Sequence, residues 1–118
     1  MMVLNHTGLP ADRSPDGLAA WRRAMAQLAP CPNVRVKISG IGQAGVPWTV
    51  QANRDIVLQT IELFGVPRCM FASNFPVDGL CAPFAAIYAG FDEITRDFSP
   101  SERRALFRDN ALRIYRME

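Results

Sequence analysis

The chain has 118 residues, 49% hydrophobic and 20% charged, with a formal net charge of +2 from 13 basic and 11 acidic side chains. That is enough chain for one globular domain, 1–118, with a single core and too little for two. The charges are scattered without a run, which excludes a nucleic-acid stripe and a membrane-surface helix and leaves a small molecule as the expected partner. No apolar window approaches the roughly 18 residues of a membrane span, and Met1 to His6 lacks the basic region and cleavage site of a signal peptide, so the expected location is the cytoplasm. Cys31, Cys69 and Cys81 are odd in number and form no C-x-x-C pair, so they read as three buried thiols, neither a disulfide framework nor a zinc ribbon.

The first element is the apolar stretch Met1 to Leu4, a strand that runs into Asn5, His6 and Thr7 with Gly8 as the turn. Ser14-Pro15-Asp16 then supplies a helix N-cap, a proline at the first helical position and an acid in the first turn. Leu18, Trp21, Met25 and Leu28 follow at spacings of three, four and three, an apolar stripe that Pro30 and Pro32 end. Val34, Val36 and Ile38 alternate with Arg35, Lys37 and Ser39, the period of a strand, which places the polar set on the face away from the helices. Lys37 is the single lysine of the chain.

The glycine-rich stretch 40–47, with Trp48 beyond it, reads as a loop over a site, and without G-K-[ST] it is no phosphate-binding loop. A second helix is predicted over about Asn53 to Phe64, with Gly65 as its C-terminal cap. Cys69 to Ser73 is a short apolar run between Pro67 and Pro76, the pattern of a strand buried on both faces, and the polar residues at its exit include Asn74 and Asp78. From Pro83, the residues Phe84, Ile87, Tyr88, Phe91 and Ile94 predict a third helix broken at Gly90, with Trp21 and Phe84 both in the core. Ser99-Pro-Ser-Glu102 is a capping box that opens a last helix to about Asn110, continuing or restarting through Tyr115.

The order strand, helix, strand, helix, strand, helices implies an α/β fold of parallel strands with covering helices. Three parallel strands leave both sheet edges unpaired, so the chain is expected either to form a homo-oligomer through those edges or to belong to a larger sheet.

Four stretches carry a resemblance: Val3-Leu-Asn-His-Thr-Gly-Leu-Pro10, Asn33-Val-Arg-Val-Lys-Ile-Ser-Gly40, Phe64 through Val77, and Asn110-Ala-Leu-Arg-Ile-Tyr115. In this order they resemble successive blocks of the amidohydrolase-related family, TIM-barrel hydrolases and lactonases. The resemblance implies the C-terminal three βα units of a (β/α)8 barrel, which typically needs about 250 residues. It also implies hydrolysis of a small-molecule carbonyl compound, such as a lactone or amide, by an attacking water.

Residue by residue, the resemblance places His6 where the family has a histidine facing the active centre, able to bind a metal or polarise the substrate carbonyl. Asn74 stands where the family has an aspartate in an S-D-x-P pattern, the carboxylate that takes a proton from water; an amide has no such basicity but can orient water or substrate. Lys37, Ser39 and Asp78 are the expected substrate-holding residues, and Asp78 is also placed to stand in for the family's aspartate. A divalent metal, zinc or manganese, is the cofactor implied for a full barrel, with His6 as a ligand; a catalytic zinc takes about three protein ligands, and His6 is the one histidine here. Read without the resemblance, Asn74 is an Asx-turn residue before Pro76, Asp78 a solvated loop acid, Lys37 an ion-pair partner, and the chain a non-catalytic α/β remnant that binds or assembles or has no function of its own.

Overall fold

The computed structural model describes residues 2–8, 13–39, 41, 49–72 and 84–115. Three short strands, β1 (Met2–Leu4), β2 (Val34–Ile38) and β3 (Cys69–Phe71), form one parallel sheet with β2 in the middle. Leu4 stands opposite Val36, and Ile38 opposite Phe71. The pairing continues one residue past β3, where the Ala72 amide donates to the Ile38 carbonyl at 3.0 Å.

Between β1 and β2 lies helix α1 (Pro15–Leu28), which begins as predicted: the Ser14 hydroxyl accepts from the Gly17 amide at 3.1 Å and Pro15 needs no partner at the first position. Its Trp21 and Met25 are buried on the sheet side, with Leu18 and Leu28 half-buried beside them. Helix α2 (Val50–Phe64) starts three residues earlier than the apolar spacing suggests. The Thr49 hydroxyl caps it by accepting from the Ala52 amide at 3.1 Å, so the orphan donors of the first turn are satisfied before the apolar stripe begins. Gly65 ends it, with φ 83° and its amide donating to the Ile61 carbonyl at 2.7 Å, a conformation that an L side chain rarely adopts.

Helix α3 (Phe84–Ile94) runs unbroken through Gly90. A mid-helix glycine costs about 1 kcal/mol relative to alanine, and full burial of Ile87 and Phe91 on either side outweighs it, because each such side chain is worth about 1.5–3 kcal/mol. Of this stripe Ile87, Phe91 and Ile94 are buried, and the Phe84 side chain lies outside the described residues. The last helical stretch is continuous and not straight: α4 (Pro100–Arg104) passes through a π turn (Ala105–Asp109) into α5 (Asn110–Ile114). Its capping box is complete, with Ser99 and Glu102 each accepting from the other's amide.

One core joins the sheet to the helices. Val34, Val36, Ile38, Cys69 and Phe71 pack with Met25, Val57, Ile61 and Phe91, and the Phe71 ring stacks on Phe91 at 4.3 Å between centroids. By strand alternation the remaining residues, Arg35 and Lys37 in β2 and Met70 in β3, belong to the other face of the sheet. Burial pushes the Cys69 thiol up to about 12, so it stays protonated. Cys31, in contrast, is exposed, correcting the reading of three buried thiols: it falls in the turn after α1, where no core residue is needed. Cys81 lies outside the described residues.

Candidate active site

Immediately after Leu4 the chain leaves the sheet in the turn expected there (Asn5–Gly8), in a backbone conformation that the residue types at His6 and Thr7 do not announce. His6 has φ 55° and ψ 34°, Thr7 φ 53° and ψ 35°, and Gly8 φ 71°, three consecutive left-handed residues of which only one is glycine. Left-handed backbone costs an L-residue about 1–2 kcal/mol, and for a β-branched threonine it is an outlier. Tertiary contacts hold it. The Trp21 indole donates to the Thr7 carbonyl at 2.8 Å, the Thr7 side chain is completely buried, and a Cβ on Gly8 would lie 3.1 Å from the Met25 sulfur. Maintained strain of this kind clusters at functional sites, and here it aims one side chain.

That side chain is His6, whose Nδ1 lies 2.9 Å from the Ser39 hydroxyl. Ser39 is the residue after β2 and is 1% exposed; His6 is half-buried. The pair spans 33 positions of sequence and forms because β1 and β2 are parallel neighbours whose carboxyl ends come out together. Carboxyl ends of parallel strands are where α/β folds meet their ligands.

Around this edge, Arg13 ties three segments that sequence reading had not connected. Its guanidinium donates to the Ile41 carbonyl at 2.7 Å and to Asn53 Oδ1 at 3.2 Å, linking the entry to α1, the exit of β2 and the first turn of α2. Burial lowers its pKa from the ordinary arginine value. Only the single Arg preceding a helix cap could have hinted at this role.

Of the other predicted site residues, Lys37 stands two positions before Ser39, with its ammonium 5.5 Å from the centre of the Tyr115 ring. That cation–π contact, and no ion pair among the described residues, is what engages it; Tyr115 is itself 45% exposed. Asn74 and Asp78 lie outside the described residues, as does the loop with Trp48. The structure thus brings His6 and Ser39 together and sets Lys37 in the strand that Ser39 follows.

Residues 1–117 match the family model described as amidohydrolase. The chain belongs to the amidohydrolase family. It is 50% identical over 116 residues to the uncharacterized protein y4mH of Sinorhizobium fredii, and 32% identical over 125 residues to an L-fucono-1,5-lactonase of Burkholderia multivorans. These alignments cover 98% and 97% of this chain but 39% and 42% of the relatives, so the chain spans about two fifths of the length of the curated proteins it matches. Among solved structures it is similar to an amidohydrolase from Burkholderia multivorans, at 30% identity and a TM-score of 0.86 in a crystal form with bound zinc, covering 98% of this chain and 44% of that one. An amidohydrolase from Bifidobacterium longum subsp. infantis gives 28% identity and a TM-score of 0.67, over 98% of this chain and 40% of that one.

The zinc of that Burkholderia structure invites a test of the donors available here. A zinc centre takes about four ligands, at least three of them from protein in catalytic sites. His6 is the one histidine of the chain and its Nδ1 faces Ser39, and among the described residues no three His, Cys, Asp or Glu side chains come close enough to hold a metal. The described residues do not by themselves make a zinc site.

Proposed function

We propose that this chain forms three consecutive βα units of a (β/α)8 barrel hydrolase that opens a lactone, or a related carboxylic derivative, by attack of water. The observation that carries the reading is the His6–Ser39 pair, held at adjacent strand carboxyl ends by a strained turn, in a chain of the amidohydrolase family. The lactone is favoured as first substrate class because an L-fucono-1,5-lactonase is among the relatives.

In this reading the imidazole of His6 polarises the scissile carbonyl, so that charge developing on its oxygen meets a fixed donor in a site shielded from solvent. Asn74 orients the water or the substrate through its amide, and Asp78 is the carboxylate placed in sequence to accept a proton. Lys37, on the strand face that a closed barrel would enclose, holds a polar or anionic group of the substrate. The other strands of the barrel would pair with the open edges of β1 and β3, and would bring further site residues.

The test is a barrel-length polypeptide in which this segment replaces the matching part of the 50%-identical Sinorhizobium fredii relative. Assayed against a panel of sugar lactones, simple lactones and amides, it is expected to hydrolyse at least one lactone well above the buffer rate. A folded protein that turns over none of the panel would remove the hydrolase reading.

A further inference from the structure

We infer that Ser39 is a positioning residue that fixes the tautomer of His6, so that Nδ1 accepts and Nε2 carries the proton toward the site. The inference deepens the hydrolase reading and takes from it only that the free side of His6 faces substrate. A hydroxyl and a neutral imidazole can bond in either sense, with serine donating to a bare Nδ1 or accepting from Nδ1–H. Burial decides between them. Ser39 is 1% exposed, and among the described residues the one partner of its hydroxyl is His6 Nδ1 at 2.9 Å.

If Ser39 accepted, its own hydrogen would have no acceptor among the described residues; if it donates, that hydrogen is used and only lone pairs go unfilled, which buried groups tolerate better. The donating sense makes Nε2 an N–H. A neutral ring in that form donates a hydrogen bond to a carbonyl oxygen and has no lone pair at Nε2 for a cation. The left-handed backbone at His6 and Thr7 complements this, because the Trp21 indole on the Thr7 carbonyl anchors the turn that carries His6 beside Ser39.

His6 is the one histidine in the chain, so long-range proton–nitrogen NMR of the 118-residue protein at mildly alkaline pH reports a single imidazole without assignment. The folded chain is expected to show Nδ1 bare and Nε2 protonated, in a ratio about five-fold higher than the same chain in urea. Ser39→Ala is expected to remove that five-fold excess, the population equivalent of a hydrogen bond of about 1 kcal/mol, and Ser39→Thr, which keeps the hydroxyl, to retain it. A predominantly Nδ1-protonated ring, or a ratio in the folded chain equal to that in urea, overturns the inference, and the second comparison decides even where Ser39→Ala does not fold. The readout needs no turnover: an inactive lactone panel would sink the hydrolase reading and leave this ratio untouched, whereas an active panel with the wrong tautomer would sink the Ser39 role alone.

Discussion

The indole of Trp21 does two jobs at once, filling the space under β1 and holding the carbonyl of a residue whose backbone would otherwise relax. Trp21→Phe keeps most of the apolar volume and deletes the donor, leaving a buried carbonyl without its partner. The expected loss of stability is about 1–3 kcal/mol, read by urea denaturation. The His6 signals should broaden or split in the same variant, since the left-handed turn loses its anchor. Single-residue properties of this kind were legible in part. His6 stands out as a lone histidine among Asn, Thr and Gly at a strand exit, and Ser14, Pro15, Ser99 and Glu102 do what their residue types announce. What Ser39 does was not legible, because its partner is 33 positions away and the hydrogen bond exists only once two strands lie in register.

At the scale of elements, apolar runs, alternation and caps placed all three strands and the longer helices, and erred where a polar cap or a buried neighbour outweighs the apolar pattern. Thr49 starts α2 early because its cap is a polar signal outside the apolar stripe. Gly90 fails to break α3 because its neighbours are buried. The π turn at Ala105–Asp109 has no mark in composition; it rotates the end of the chain so that Asn110 reaches the entrance to β3. There the Asn110 amide donates to the carbonyls of Val66 at 2.6 Å and Cys69 at 2.7 Å, while Arg113 donates to the Pro67 carbonyl at 2.6 Å. Asn110 is 1% exposed; the Cys69 carbonyl at the base of β3 relies on it, whereas the Val66 carbonyl also accepts from the Cys69 amide. Asn110→Ala is expected to destabilise the chain by about 1–3 kcal/mol, because the truncation takes the side-chain donor from the Cys69 carbonyl while the Val66 carbonyl keeps the Cys69 amide. Calorimetric unfolding of the variant beside Arg113→Ala checks this, and equal, small losses in the two would show that the contact is peripheral.

For the molecule as a whole, the arrangement is a sheet with one face closed and two edges open. The helices cover the face of Val36, Ile38 and Phe71, while β1 and β3 each have a single strand neighbour among the described residues. Unpaired strand edges are a liability in a free-standing domain, and the relatives, of which this chain matches about two fifths, have the additional length that could pair with them. Membership of the amidohydrolase family was legible in four short blocks spread over the chain, since those blocks are the strand ends and the final helix that fix the fold. Chemistry was less so: Asn74 and Asp78 are legible as polar residues after an apolar strand, and their spatial relation to His6 is not something spacing along the chain supplies.

The most direct measurement compares kcat/KM for lactone hydrolysis between the barrel-length protein and its His6→Ala variant, with melting temperature recorded for both. Loss of a preorganised donor to the developing oxyanion is expected to lower kcat/KM by about 10²–10³-fold, with the melting temperature within a few degrees. Equal kinetics in the two proteins across the panel would contradict the placement of His6 in the site.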